Sequence, residues 1–513
     1  MSVVEAIAQQ IGSENVILDE EERLFFAHDV FRAGKTPVAV VRPGSVSELA
    51  EVVRLAYESG TPIVTRGGGA SYTDAYAHME DGGITIDSSR LNRIEISEAN
   101  ATVTVEAGVT WARLREAVLA KGFKTPFWGS YSGLFATVGG GTSNNAISHG
   151  KGAASDCVLC LEVITGKGEL LRTGSALSEG TAPFSRHYGP DLTGVFTGDC
   201  GALGIKARIT LPLVKAPPAF AAASFAFTEF ENLHACFREI ALEDLVEENF
   251  GLNATLQQGQ LGKADTSAKV EMAGKIVKQS GLVKGAAKLA RMAASGEQAI
   301  ATAPFAGHFI VEGADQAEAD AKIRRVKRIG ARFGTEIPNS VPEVVRAMPF
   351  APFHNILGPK GERWLPCHAL LAHSEVVPFN CALQALFEEE RAVLERHQVD
   401  LGAMFMAVGS TEFVYEPTFY WPDARNRFHE RIVEADHLSS LPTYPRSEEA
   451  EREVLRIKKR VVELMHKHGA VHLQVGKVYP LAQDHNPAHW ALLRALKAEL
   501  DPKGILNPGS LGI

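Results

Sequence analysis

Three short runs in the first 205 residues set glycines beside small hydroxyl or amide residues: TRGGGASY at 65–72, TVGGGTSNNAISHG at 137–150 and YGPDLTGVFTGDCGALGI at 188–205. Glycine has no Cβ, so such runs let backbone N–H groups come close to an anion or a flat ring. The first run follows the strand-like TPIVTRG directly, where successive glycines can cradle a pyrophosphate. Taken singly, each run reads more readily as a plain turn. Their order, and the elements between them, carry the argument.

Between residues 37 and 214, short β-rich runs alternate with helical ones, which is the mark of a domain mixing sheet and helix. The strand PVAVVRP leads to a helix SVSELAEVVRLAYESG, with Ser45 and Glu48 spaced as a capping box and Gly60 as its stop. Two hairpins follow: IEISEANATVTVEAG, turning near Asn100, and LCLEVITGKGELLRTG, turning at 166–168. Consecutive hairpins make the sheets mixed rather than purely parallel. The strand ALGIKARITLPL closes the unit, and KAPPAF reads as a linker.

Beyond it the chain changes character, with long helical stretches and scattered aromatics. The expected division is 1–215, a second α+β domain over 216–465, and a C-terminal segment 466–513. A helix SEEAEREVLRIKKRVVELMHKHG repeats apolar residues at 454, 457, 461, 464 and 465 and ends at Gly469. The run 263–291 holds seven Lys or Arg against Asp265 and Glu271. Its apolar face lacks aromatic anchors, which favours a solvated helix over a membrane-surface one.

A net charge of −9 argues against a nucleic-acid surface spread over the molecule. No run approaches a membrane-spanning length and the start lacks a signal-peptide layout, so the expected location is cytoplasmic. Six scattered cysteines suit reduced thiols. Cys157 and Cys160 form a CxxC inside an apolar strand-like run, not a redox or metal site.

A dinucleotide GxGxxG fails at Tyr72 for the first glycine cluster and at Asn144 for the second. P-loop, HExxH and GxSxG motifs are absent too. The ordered set PVAVVRPGSVSELAEVVRLA, RGGGAS, ATVGGGTSNNA, DCVLCLEVITGKGELLRTG, DLTGVFTGDCGALGI and DPKGILNPGSLG instead resembles the vanillyl-alcohol oxidase superfamily with its PCMH-type FAD-binding domain. The likeness covers about 22–214 and 469–513. It implies an α+β fold with an FAD-binding domain and a substrate cap, and FAD as cofactor. Arg66, Gly67, Gly68, Gly69, Ala70 and Ser71 would wrap the pyrophosphate. Thr137, Gly139, Gly140 and Asn144 would line the ribityl chain and ring, and Gly201, Gly204 and Ile205 the adenine side. Asn507 would return to the flavin edge.

The chain also departs from that pattern. Ala70 stands where many relatives carry the histidine that bonds covalently to flavin, so a dissociable FAD is expected. VGSTEFVYEP at 408–417 has no histidine in place of a metal-binding HxGDGN-like run, so no metal is expected. Oxidising an alcohol needs a base for the hydroxyl proton and donors that fix the substrate. RWLPCHALLAH offers Arg363 and His368, and VHLQVGKVY offers His472, Lys477 and Tyr479. Arg or Lys would clamp a carboxylate, which suits a small 2-hydroxy acid oxidised by transfer to flavin N5. Paired tyrosines would instead suit a 4-hydroxybenzylic alcohol, and a non-redox synthase or lyase is a third reading. FVYEPTFYWPD suits a pocket wall or a core strand alike. The expected partners are the alcohol or hydroxy acid and an electron acceptor (a quinone, an electron-transfer protein or oxygen). A homodimer and a peripheral contact with the inner membrane surface stay open.

Overall fold

The computed structural model describes residues 1–261, 303–481 and 486–513. The basic run 263–291 lies outside them. The first domain is built on two sheets. In one, Ala39–Val41, Ile84–Asp87 and Ile63–Arg66 run parallel, with Val16–Ile17 antiparallel at the edge. In the other, five antiparallel strands stand in the order Leu170–Arg172, Cys160–Ile164, Ile205–Pro212, Thr102–Glu106, Ile94–Ser97. Both expected hairpins are there.

The limits of the first helix follow from its caps. Val46–Ser59 starts at Ser45, whose hydroxyl accepts from the Glu48 N–H at 3.1 Å, and stops at Gly60 with φ +69. Glu48 reaches one residue further back than a capping box requires, and accepts from the N–H of Gly44 at 2.8 Å. All six cysteines are free thiols, and Cys157 and Cys160 are both buried.

The second domain is more sheet-based than its sequence suggests. Eight antiparallel strands form one sheet, whose long central hairpin is Asp400–Val408 and Glu412–Trp421. Helices Phe230–Leu242, Gln316–Gly330, His373–Glu389 and Glu448–Lys467 cover one face. Phe225, Phe309, Phe405, Phe413 and Phe419 are fully buried beneath them. The apolar repeat of the last helix does what its spacing predicts: Val454, Ile457, Val461 and Met465 are fully buried in this same core.

The C-terminal segment returns to the first domain as an added backbone strand. Ile63 donates its N–H to Ile505 O at 2.7 Å, and Asn507 donates its own to Ile63 O at 2.8 Å. Asp501, 2 % exposed, holds that bend by accepting from the N–H groups of Ile505 (3.0 Å) and Leu506 (2.8 Å) while paired with Lys497. Asp501→Ala leaves both N–H donors without their acceptor and Lys497 without its counter-charge, bonded only to the carbonyls of Ala202 and Leu506. It is expected to lower stability by about 2–3 kcal/mol in chemical denaturation.

Candidate active site

A cavity of about 840 Å³ lies between the first domain, the cap sheet and the returning C-terminus. That volume falls toward the upper end of the roughly 300–1,000 Å³ spanned by ligand sites. Its floor is glycine-rich backbone. A Cβ on Gly68 would sit 1.7 Å from the carbonyl oxygen of Phe135, so the loop after Ile63–Arg66 and the segment entering the short helix Val138–Ser143 touch backbone to backbone. Gly69 adopts φ +72, which turns the loop under the cavity.

Gly67, Gly68, Gly69, Ala70, Ser71, Thr137, Gly139, Gly140, Asn144, Gly201, Gly204, Ile205 and Asn507 all line this one cavity. Arg66 differs. Its side chain is buried, with the guanidinium 4.6 Å from the ring centres of both Phe25 and Phe26, boxed by Tyr76 and Phe428 and outside the cavity lining. It stands behind the loop, whose residues 67–71 line the cavity without it.

Two amides fit this floor to a polar cofactor. Asn507, at φ +44, donates Nδ2 to Ala75 O and Cys200 O at 2.7 Å each, and Asn144 donates Nδ2 to Gly140 O at 3.0 Å. Each keeps a buried Oδ1 with no protein partner. Buried acceptors of this kind are costly unless a ligand donor or water meets them.

The cap side owes its chemistry to strand alternation. In Glu412–Trp421, Phe413, Tyr415, Phe419 and Trp421 go to the core, while Val414, Glu416, Thr418 and Tyr420 line the cavity. The aromatic run is therefore core strand and pocket wall at once. Alternation also separates the expected pair Arg363 and His368. Trp364 lines the cavity, whereas Arg363 points the other way, 5.4 Å over the Phe31 ring and bonded to the carbonyls of Phe31 and Ala424.

His368 does line the cavity. Its Nε2 bonds to the carbonyl of Leu473, so Nε2 carries the proton, and Nδ1 is a buried acceptor with no partner. Burial, with His472 nearby, pushes this imidazole down to about 3. His472 and Tyr479 stand behind it, outside the lining. The Tyr479 hydroxyl accepts the His368 N–H at 3.0 Å, and His472 Nδ1 donates to the His368 carbonyl at 2.7 Å while stacking on Tyr479. Lys477 is spent on the Ala77 carbonyl, away from the cavity.

Glu416 escaped the sequence reading. Burial pushes its carboxyl up to about 7, opposed by a hydrogen bond from the Tyr72 hydroxyl at 3.4 Å. Tyr72 follows the glycine loop directly, so this pair joins the cofactor floor to the cap wall. The available signal was a carboxylate inside the run FVYEPTFYW, whose other residues are apolar or aromatic apart from Thr418. Lys206, the only Lys or Arg among the described lining residues, is already paired with Asp199.

This architecture defines a flavoprotein with a discontinuous cofactor domain. Residues 37–174 match the FAD binding domain family, and 433–511 match the C-terminal domain of FAD linked oxidases. Glycolate oxidase subunit GlcD of Bacillus subtilis (strain 168) is 31% identical over 246 residues, which is 47% of this chain and 50% of that protein. The chain thus spans about half the length of the curated relatives it matches. Among solved structures, p-cresol methylhydroxylase with substrate bound aligns at TM-score 0.73 and 18% identity, over 100% of this chain and 96% of that one. Alkyldihydroxyacetonephosphate synthase aligns at 0.67 and 15%, over 99% and 85%. Residues 37–174 thus carry an FAD-binding domain with FAD as cofactor, residues 433–511 the C-terminal domain of FAD linked oxidases, and the fold is that of p-cresol methylhydroxylase. Gly68→Ala, which drives a Cβ into backbone, is expected to abolish flavin retention, read as the flavin-to-protein absorbance ratio after purification.

Proposed function

We propose that this protein oxidises the CH–OH group of an uncharged, ring-bearing alcohol of the 4-hydroxybenzylic kind. The carrying observation is the cap side of the cavity, where Tyr72, Tyr131, Trp364 and Tyr420 surround Glu416 and His368 with no unpaired cation among the described lining residues. A bound carboxylate there would lie near Glu416, Glu362 and Asp400 without a counter-charge, an expensive arrangement in a desolvated site. The B. subtilis relative is named for glycolate, a small 2-hydroxy acid, and that reading relies on Arg363 and Lys477. Both are engaged elsewhere.

FAD, when bound on the glycine floor, supplies the two-electron acceptor for the substrate C–H bond. The protein's part is to orient and deprotonate. Of the two candidate bases, His368 near 3 holds a proton poorly, whereas Glu416 near 7 matches a neutral working pH. Glu416 takes the hydroxyl proton. The free Nδ1 of His368 accepts a hydrogen bond that fixes the substrate, with His472 and Tyr479 holding His368 in place. Electrons then pass to a quinone, an electron-transfer protein or oxygen. With Ala70 in the loop, FAD is held without a covalent bond there.

Mixing the protein anaerobically with 4-hydroxybenzyl alcohols is expected to bleach the flavin band, and D- or L-2-hydroxy acids are expected to leave it. Bleaching by hydroxy acids alone would reverse the assignment, and no bleaching by either would point to the non-redox synthase reading. Glu416→Gln is expected to lower kcat by about 10²–10⁴ with FAD retained. Because the base works ionised, kcat/KM should rise with pH through about 7 and stay flat above it.

A further inference from the structure

Each oxidation moves the substrate's hydroxyl proton onto Glu416 while the C–H hydrogen leaves with its electron pair to the bound flavin. The carboxyl must then lose that proton before it can act as a base again. Glu416 faces the cavity, and the polar groups around it lead in different directions. Three of these end inside the protein. Tyr72, which donates to Glu416 at 3.4 Å, has the buried Cys367 and Tyr479 beside it. His368 points its Nε2 proton at the Leu473 carbonyl, which only accepts. Tyr131 meets the buried rings of His149 and Phe250 edge-on.

The fourth direction runs along the strand Glu412–Trp421. Glu416, Thr418 and Tyr420 alternate onto the cavity side. Such same-face residues stand roughly 6–7 Å apart, a gap that one water spans between polar groups. Strand pairing sets what lies at the far end: Tyr420 is opposite Asp400 on one side and Trp364 on the other. Glu362, just before Trp364's strand, joins it there. A Cβ on Gly358 would collide with both the Glu362 carboxylate and the Tyr420 ring, so the two side chains converge on one glycine. Lys360 donates its N–H to Glu362 at 2.7 Å, and its ammonium lies 3.4 Å from Asp400. Both Lys360 and Asp400 are exposed. The row that starts at the base therefore ends in solvent.

We propose that Thr418, Tyr420 and Glu362 form the proton exit of Glu416, opening to solvent beside Asp400. The proposal rests on Glu416 being the base. The Glu416 O–H bond breaks and its proton passes by the Thr418 hydroxyl to the oxygen of Tyr420. The Tyr420 O–H bond breaks in the same sense toward Glu362, and one proton reaches bulk water. Glu416 returns as a carboxylate, and no group along the row is oxidised or reduced. Tyr420 suits this role because burial, with the carboxylates of Glu416 and Glu362 near it, pushes its phenol up. It gives up its own proton only as it receives another.

Infrared spectra of the FAD-loaded protein test this without any substrate. A protonated-carboxyl band present at about pH 6, below the midpoint near 7, and missing from Glu416→Gln, belongs to Glu416. On rapid mixing into D2O, its downshift times the exchange of that proton with solvent. Exchange should slow several-fold in Tyr420→Phe and in Glu362→Gln, which keep the shapes of their side chains, with flavin absorbance retained. A change that merely loosened the packing would admit water and speed exchange instead. Exchange as fast as in the wild type, or faster, in either variant overturns the proposal, as does the absence of any band that Glu416→Gln removes. The substrate assignment fails or stands separately, on flavin bleaching.

Discussion

The site rests on a contact with no side chain in it. The loop at 67–69 and the segment 135–137 approach so closely that the carbonyl of Phe135 occupies the place of a Gly68 Cβ. The boxed Arg66 guanidinium lies behind this contact, outside the cavity lining. Binding an anionic cofactor through main chain needs a preformed and rigid floor, because backbone dipoles cannot reorient as side chains do.

The cap answers that floor with a strand whose two faces do different work. Phe413, Phe419 and Trp421 anchor it in a core of interlocking rings, and the alternate positions Glu416, Thr418 and Tyr420 line the cavity. A reactive carboxyl on a buried strand is held more firmly than one on a loop, and the same burial is what raises its proton affinity. Positioning and tuning thus come from one packing arrangement. Tyr72 adds the link to the cofactor side, so neither domain alone contains the complete polar cluster.

The glycine motifs, the capped helix and both hairpins were legible because each is a local device whose residues follow from backbone geometry. Period-2 alternation could have separated Arg363 from Trp364, but the strand Arg363–Pro366 is four residues long and sits among helical signals. Its faces became definable only once it paired with Glu412–Trp421. The cap read as largely helical because its strands, such as AFAAASFAF, are apolar on both faces and hide their period. Glu416 was missed for a different reason. The unusual affinity of a carboxyl for its proton comes from its burial, which the cap sheet and the first domain create only once they are packed together.

The bridging of Ile63 by residues 505–507 bears on how the molecule is made. The parallel sheet that carries the glycine loop 67–69 gains its last backbone partner more than four hundred residues after the loop itself leaves the ribosome. During synthesis the residues of the cap sheet emerge before that partner exists, so this pairing can form only after them. Contacts of such sequence separation are slow to form.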